Sequence, residues 1–414
     1  MQYKERLIQE RLSLYAKTFP CVLLAGARQV GKTTTLKRMF PGHRLFTMDP
    51  AQDIYGVKPD PDLFLRNNRC PLILDEIQYA PELIPAIKRH VDCNREPGQF
   101  VFTGSQQWHV LRHLSESLAG RIAVVDLHGF TIQEGVDRAT PCWFNVWIET
   151  APRGISESAG ALSEGRSMRL SATETIWRGS FPEVRAIPEA AVSGWMQGYV
   201  TTYLQRDVRV LAEVREETQF SAFLSLCSAL TAQECNYARF GKDLGLSAPA
   251  VKRWFGILRG TYQWIEIPAY STNMIKRLSG RAKGHVADTG LACYLMRIAS
   301  PAAIQGHPAF GALFESMVAG DCIKQTQCLS LPPSYYHHRQ HSGSEVDVLF
   351  ERDGLLFPVE IKASTRVSAS DCRAMDSLRE RLGPVVQPGL VVYAGSEVLR
   401  VGDHSLAVPF DLAL

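Results

Sequence analysis

The first residues with a chemistry of their own stand near the amino end. Gly26-Ala27-Arg28-Gln29-Val30-Gly31-Lys32-Thr33 fits the spacing GxxxxGK[ST], and Thr34 continues it into a helical run. Glycines at those places let a loop turn its amide N–H groups inward, making an anion nest at the start of a helix. Lys32 would reach the β- and γ-phosphates of ATP, and the Thr33 hydroxyl would hold Mg²⁺. Gly26, Arg28, Gln29, Val30, Gly31 and Thr34 would line the same phosphates. Further on, Leu72-Ile73-Leu74-Asp75-Glu76 is an apolar run ending in two acids. An acid at the carboxyl end of a buried strand faces the ligand crevice of a parallel sheet. Asp75 would hold Mg²⁺ through water, and Glu76 would orient or deprotonate the attacking water. Phe100–Phe102 runs into Thr103-Gly104-Ser105, whose hydroxyls could sense the γ-phosphate; an ordinary turn is the alternative. Arg121 offers a positive charge for the transition state, with an unpaired surface arginine as the alternative. Arg28 faces either phosphate or solvent.

A second set of acids lies near the carboxyl end. Glu345 and Asp347 precede a strand-like run, and Val359-Glu360-Ile361-Lys362 follows the turn residue Gly354. Residues i and i+2 of a strand share a face, so Glu360 and Lys362 would converge with Asp347 from the neighbouring strand. That order resembles the PD-(D/E)xK nuclease fold, in which Asp347 and Glu360 would bind Mg²⁺ and Lys362 would poise water. Glu315, in a preceding helical run, matches the acid this fold often adds. Alternating charges on an exposed strand would look the same. His337, His338 and His341 fall just before these strands and read as a solvated loop rather than a metal site.

Between the two sets, Tyr237–Leu244, the turn at Gly245 and the run from Pro249 to Leu258 capped by Ser247 give helix, turn, helix. A strand over 262–267 completes the pattern of a winged helix-turn-helix. Lys252, Arg253 and Arg259 would contact DNA phosphates, and Trp254, Phe255 and Leu258 would be buried. Use of this segment for protein packing alone is the alternative.

The elements that must position these groups follow from short apolar runs. Runs at 21–25, 44–48, 71–74, 100–102 and 122–127 alternate with helical stretches, as buried parallel strands do. The chain of 414 residues should hold two to four domains at roughly 100–200 residues each. The expected divisions are an ATPase core over 1–140, a connector and lid over 141–195, a helical region with the winged helix over 196–300, and a nuclease-like domain over 301–414. The fold class is α/β: a parallel P-loop sheet, a helical middle and a restriction-endonuclease-like α/β end.

Lys and Arg total 45 against 42 Asp and Glu, a net charge of +3, so the whole chain does not advertise nucleic acid. The stretch 251–283 does, with Lys252, Arg253, Arg259, Lys276, Arg277, Arg281 and Lys283 against Glu266 alone. The ten cysteines form no CxxC pair, no apolar run approaches the ~20 residues of a membrane helix, and residues 1–11 lack an apolar leader. These point to a cytoplasmic chain with no membrane partner.

The set GARQVGKTT, LILDEIQ, FTGSQ, SLAGRIAVVDLHGFTIQE and WRGSFPEV resembles the prokaryotic AAA-type ATPases that carry a C-terminal DUF4143 domain. The resemblance spans nearly the whole chain. It implies that Arg121 stands where such ATPases often keep an arginine finger, and so implies a homo-oligomer with ATP at subunit interfaces. It also implies a basic contact from the lid, for which Arg178 is the candidate. The function expected is ATP hydrolysis coupled to DNA binding or remodelling. A nucleotide-gated regulatory or defence switch with a protein partner, or an ATP-gated Mg²⁺-dependent nuclease, are the other readings.

Overall fold

The computed structural model describes residues 3–105, 118–137, 141–203, 208, 217–272, 277, 280–339 and 345–414. They form two compact units: Glu5–Gly129 with Gly260–Tyr262, and Phe130–Arg259 with Gln263–Leu414 and the first four residues.

The first unit is an α/β sandwich. Its elements are α1 (Gln9–Ala16), β1 (Cys21–Ala25), α2 (Lys32–Met39), β2 (Arg44–Thr47), α3 (Pro61–Asn67), β3 (Leu72–Asp75), α4 (Leu83–Cys93), β4 (Phe100–Gly104) and β5 (Ile122–Asp126). The strands pair in parallel in the order β2-β3-β4-β1-β5. Every residue of β1, β3 and β4 is buried, which is why these strands read as continuous apolar runs rather than alternating ones. Leu23, Leu74, Phe100 and Phe102 form one core with Leu83, Ile87 and Val91, the buried face of α4. Each such side chain taken from water contributes about 1.5–3 kcal/mol. The consequence for chemistry is positional. With β4 set between β3 and β1, the carboxyl ends of three neighbouring strands carry the P-loop, Asp75–Glu76 and Thr103–Ser105.

The second unit has no boundary at 195 or 300. It runs through α5 (Trp143–Thr150), α6 (Ile155–Ser163), β6 (Arg166–Ser167), α7 (Ala172–Arg178), α8 (Glu189–Thr202) and α9 (Glu217–Ala229). Next come β7 (Gln233–Glu234), α10 (Tyr237–Leu244), α11 (Ala248–Gly260), β8 (Trp264–Ile267) and β9 (Lys283–Val286). It ends with α12 (Thr289–Leu295), α13 (Phe310–Thr326), β10 (Ser334–Arg339), β11 (Glu345–Arg352), β12 (Leu355–Lys362), α14 (Arg373–Leu382), β13 (Gly389–Tyr393), β14 (Leu399–Val401), β15 (Ser405–Pro409) and β16 (Leu412–Ala413). A mixed six-stranded sheet runs β10-β11-β12-β13-β15-β14.

The segment 141–195, expected as connector and lid, is instead folded against this sheet. Phe144 packs on Phe350 at 5.0 Å and Trp147 on Phe357 at 5.7 Å between ring centroids, all four fully buried or nearly so. β6 pairs antiparallel with β16 at the far end of the chain. The apolar aromatics of 143–148 cannot be left in water, and the C-terminal sheet is where they find cover. The first division likewise falls at Phe130 rather than 140.

The middle is helical with a small sheet. β7, β9 and β8 pair antiparallel in that order beside α9, α10 and α11. Asn236 caps α10 by accepting from the Arg239 amide, and left-handed Gly245 ends it. Trp254, Phe255 and Leu258 are buried as expected. Phe255 stands 5.0 Å from Phe223, 5.1 Å from Phe240 and 5.4 Å from Trp264. Among the described residues no helix is long and apolar enough to cross a membrane.

Candidate functional site

In the first unit the sequence motif is a tight loop between β1 and α2. Gly26 has φ 155°, and a Cβ there would lie 2.1 Å from the Leu127 carbonyl oxygen, so only glycine fits. Gly31 has φ 94° and immediately precedes α2, whose first-turn amides point into the loop. Gln29 is also left-handed, at φ 62°. Val30 is buried and Thr34 exposed.

The Lys32 ammonium is buried and donates to the Gly26 carbonyl at 3.0 Å and the Ala27 carbonyl at 2.8 Å. Both acceptors are neutral carbonyls of the loop itself. The Thr33 hydroxyl donates to Asp75 Oδ1 at 2.8 Å. Thr103 donates to the same oxygen at 2.6 Å, and Thr47 to Oδ2 at 3.3 Å. Asp75 thus sits buried and accepts from three hydroxyls.

Glu76 is held in the left-handed region at φ 56°. Its amide donates to Thr103 Oγ1 at 2.8 Å. Its carboxylate accepts from Ser105 at 3.3 Å and from the Gln78 amide. The two hydroxyls left open by the sequence therefore divide. Thr103 is a brace for the acids, whereas Ser105 touches the Glu76 carboxylate and Gln78 Nε2, the latter at 3.2 Å. Hydroxyl and carboxylate oxygens are hard donors of the kind Mg²⁺ takes, so Thr33 and Asp75 fit that ion.

Three residues of this neighbourhood were not legible beforehand. Gln78 holds Glu76. Tyr79 OH accepts from Arg28 at 3.1 Å, which directs that guanidinium along the loop rather than leaving it in solvent. Arg6 is buried and donates to the Val30 carbonyl at 2.9 Å and the His128 carbonyl at 2.6 Å, tying the loop to the end of β5. An arginine twenty-odd residues before the motif carries no local signal of that contact.

Arg121 lies elsewhere. Its carbonyl accepts from the Cys21 amide at 3.1 Å, placing it at the amino end of β1, whereas the P-loop leaves the carboxyl end. Five residues of strand at about 3.3 Å each separate the two. Its guanidinium is bound to Asp92 Oδ1 at 2.5 Å and the Ala119 carbonyl at 3.1 Å. It is therefore neither an unpaired surface charge nor a group that can reach the nucleotide of its own chain.

In the second unit the C-terminal acids do converge, but on a residue expected elsewhere. Lys283 Nζ, on β9, stands 2.6 Å from Glu315 Oε1 on α13, and 2.7 Å from Glu345 Oε1 and 3.1 Å from Asp347 Oδ1 on β11. Only 4% of Lys283 is exposed. Asp347 Oδ2 accepts from the Ile361 amide at 2.9 Å, so both its oxygens are engaged. Glu360 on β12 takes the Lys362 ammonium on one oxygen at 2.7 Å, while Oε2 is buried without a hydrogen-bond partner. Burial opposes the charge of Lys283, yet Asp347, Glu315 and Glu345 outweigh it and raise its pKa. One ammonium cannot neutralise all these acids. Burial and then Asp347 push both Glu315 and Glu360 up to about 8.

At Asp347, where a metal was expected with Glu360, the oxygens face the Lys283 ammonium and the Ile361 amide. Among the described residues no group of three His, Cys, Asp or Glu side chains is arranged to hold a metal. Glu315 and Lys362 stand on the expected elements, with partners other than a metal. His337 and His338 lie on β10 and are buried rather than in a solvated loop; His341 lies outside the described residues.

Three of the seven basic residues of the middle are paired with acids. Arg259 pairs with Glu266, Arg277 with Glu351 at 3.0 Å and Lys283 with its three acids. Lys252 and Arg253 remain exposed on α11, and Lys276 lies outside the described residues. Arg178, the lid candidate, binds Glu174 and the Val184 and Ile187 carbonyls at 2.9 and 3.0 Å, a packing role inside its own unit.

Parts of the chain match known families. Residues 18–136 match an AAA domain family, 310–413 a domain of unknown function called DUF4143, and 170–302 a domain of unknown function called DUF8612. Uncharacterized proteins of Mycobacterium bovis and Mycobacterium tuberculosis are each 26% identical over 399 residues, covering 95% of this chain and 81% of the relative. Among solved structures, a Walker-type ATPase of Pyrococcus abyssi is 15% identical with a TM-score of 0.39, covering 69% of this chain and 94% of that one. The Thermotoga maritima RuvB Holliday junction branch migration motor is 16% identical with a TM-score of 0.30, covering 67% and 90%. TM-scores this low leave the fold resting on the strand order and the family matches.

Proposed function

We propose that this chain, which carries an AAA-type P-loop ATPase domain and a C-terminal DUF4143 domain, hydrolyses ATP at Gly26–Thr34, Asp75 and Glu76 and couples that hydrolysis to DNA as a homo-oligomer. The observation that carries the ATPase reading is one meeting point. Lys32, the Thr33–Asp75 pair and the Glu76–Ser105 pair stand at the carboxyl ends of adjacent parallel strands.

The residues divide the work. Amides of the loop and the start of α2 bind the phosphates. Lys32 brings a positive charge to the β- and γ-phosphates. Mg²⁺ bound with ATP, held by Thr33 and by Asp75 through water, would supply charge neutralisation between those phosphates. Glu76 orients the attacking water and accepts its proton, with Gln78 and Ser105 fixing its carboxylate. Arg121 acts only on a neighbouring subunit's nucleotide, which is the reason for an oligomer.

DNA coupling rests on the helix–strand–helix–helix–strand–strand order of α9, β7, α10, α11, β8 and β9, the order of a winged helix, with Lys252 and Arg253 exposed on α11. The pairing of Arg259, Arg277 and Lys283 with acids favours the second reading, a nucleotide-gated switch whose partner is a protein. DNA-stimulated ATPase activity separates them: stimulation lost on raising salt supports DNA, and a rate flat in DNA supports the switch. For the oligomer, Lys32→Ala and Arg121→Ala proteins are each inactive alone, and mixing them restores part of the rate; no recovery on mixing removes the trans role.

A further inference from the structure

We propose that Cys142 and Cys328 form a reversible oxidation site, which a peroxide converts to a disulfide joining the start of α5 to the end of α13. The inference goes beyond the ATPase reading and does not depend on it. The two sulfurs stand 3.7 Å apart, although the residues are 186 positions apart in the chain. An S–S bond is about 2.05 Å, so the sulfurs must close by less than about 2 Å. The backbone around them is already docked. The Phe144 amide donates to Gln325 Oε1 at 3.3 Å, and Asn145 Nδ2 donates to the Gln325 carbonyl at 3.1 Å. Helix α5 therefore begins against the last turn of α13, with the two thiols at the junction.

The two thiols are not equivalent. Cys328 is half-buried, and its sulfur accepts from Asn145 Nδ2 at 3.1 Å. Its own S–H donates to the Gln325 carbonyl at 2.8 Å. Cys142 is buried and faces that sulfur. The hydrogen bond from Cys142, joined by that from Asn145, outweighs burial and lowers the pKa of Cys328, whereas the contact with Cys328 and burial raise that of Cys142. Cys328 is thus the attacking thiolate and Cys142 the resolving thiol. The buried cysteines of the middle differ: burial pushes the Cys227 thiol well up and Cys235 up to about 12.

The chemistry balances. Cys328 sulfur attacks one peroxide oxygen: an S–O bond forms, the O–O bond breaks, and hydroxide leaves and becomes water with the Cys328 proton. Cys142 Sγ then attacks the sulfenic sulfur: the S–S bond forms, the S–O bond breaks, and the second hydroxide leaves as water with the Cys142 proton. Two electrons pass from the sulfurs to the peroxide, and a dithiol returns them by exchange.

The test uses full-length wild-type protein treated with hydrogen peroxide, alkylated, and digested without reductant for mass spectrometry. The expected product is a Cys142–Cys328 peptide lighter by two hydrogen atoms. It should form at least about tenfold faster than the exposed Cys93 is oxidised, and disappear on adding dithiothreitol. In Cys142→Ser, dimedone should trap a sulfenic acid on Cys328; in Cys328→Ser, no adduct should form on Cys142. Absence of the cross-linked peptide once Cys93 is oxidised overturns the proposal, as does a cross-link that forms only after unfolding in urea. Both of those outcomes are read on the wild type, so they stand whether or not a serine variant folds. A dimedone adduct on Cys142 in Cys328→Ser overturns the assignment of the attacking sulfur.

Discussion

Two regions of this chain bury a lysine and a strand-borne aspartate, and they surround them with different partners. At the P-loop, Lys32 donates to the Gly26 and Ala27 carbonyls, and Asp75 accepts from three hydroxyls. At the C-terminal sheet, Lys283 is clamped by Glu315, Glu345 and Asp347, so the cation is already supplied. These partners differ in kind: loop carbonyls for Lys32, carboxylates for Lys283. A dipole orients a charge, whereas an ion of opposite sign offsets it.

The largest effect expected from that contrast is on ATPase activity. Lys32→Ala should lower the ATPase rate by about 10³-fold with folding unchanged, because a transition-state charge loses its partner. A near-normal rate in a steady-state phosphate-release assay would remove the loop from catalysis. Lys283→Met should do the reverse, leaving ATPase chemistry alone while destabilising the second unit by about 3–5 kcal/mol in urea unfolding without added metal. A smaller effect should follow Arg6→Met, which removes two hydrogen bonds from a charged donor to the Val30 and His128 carbonyls. A loss of about 1.5–3 kcal/mol per bond at most is expected, seen as weaker ATP binding in titration calorimetry.

The smallest is a pH dependence. Glu360 binds its proton more tightly folded than unfolded, with its pKa up at about 8 through burial and Asp347. The folded state then holds the extra proton, so stability falls as pH rises from the ordinary carboxylate range through about 8. His285 shifts the opposite way, down to about 3 by burial and then Lys283, and so adds stability that is lost only below its ordinary range near pH 6.5. Between pH 6.5 and 8 the melting temperature of Glu360→Gln should therefore decline less than that of wild type. Identical slopes in a calorimetric pH series would show that Glu360 does not hold the extra proton.

Legibility in the sequence followed the range of each contact. The parallel strands were readable because β1, β3 and β4 are buried on both faces and so appear as unbroken apolar runs. The loop from Gly26 to Thr34 was readable because its chemistry is contiguous. The helix, turn and helix of α10 and α11 were visible through Gly245, Ser247 and the buried stripe Trp254, Phe255 and Leu258. The burial of Phe144 and Trp147 against Phe350 and Phe357 was not readable because it has no local periodic signature. Arg6 and Gln78 were missed because a side chain's carbonyl or carboxylate partner leaves no trace in spacing.

By itself, then, the sequence determined the nucleotide loop, the acids Asp75 and Glu76 after their strand, and the alternation of Glu345 with Asp347 and of Glu360 with Lys362. Backbone geometry over a few residues settles each of these. Only the tertiary structure decided which charges remain for a ligand. Lys283 is 62 residues from Glu345 and 64 from Asp347, and chain folding alone brings them within 3.1 Å. It likewise put Arg121 at the amino end of β1, away from its own P-loop. A charge's partner is set by what folding places within a few ångströms, because electrostatic pairing depends on distance through the fold and not along the chain.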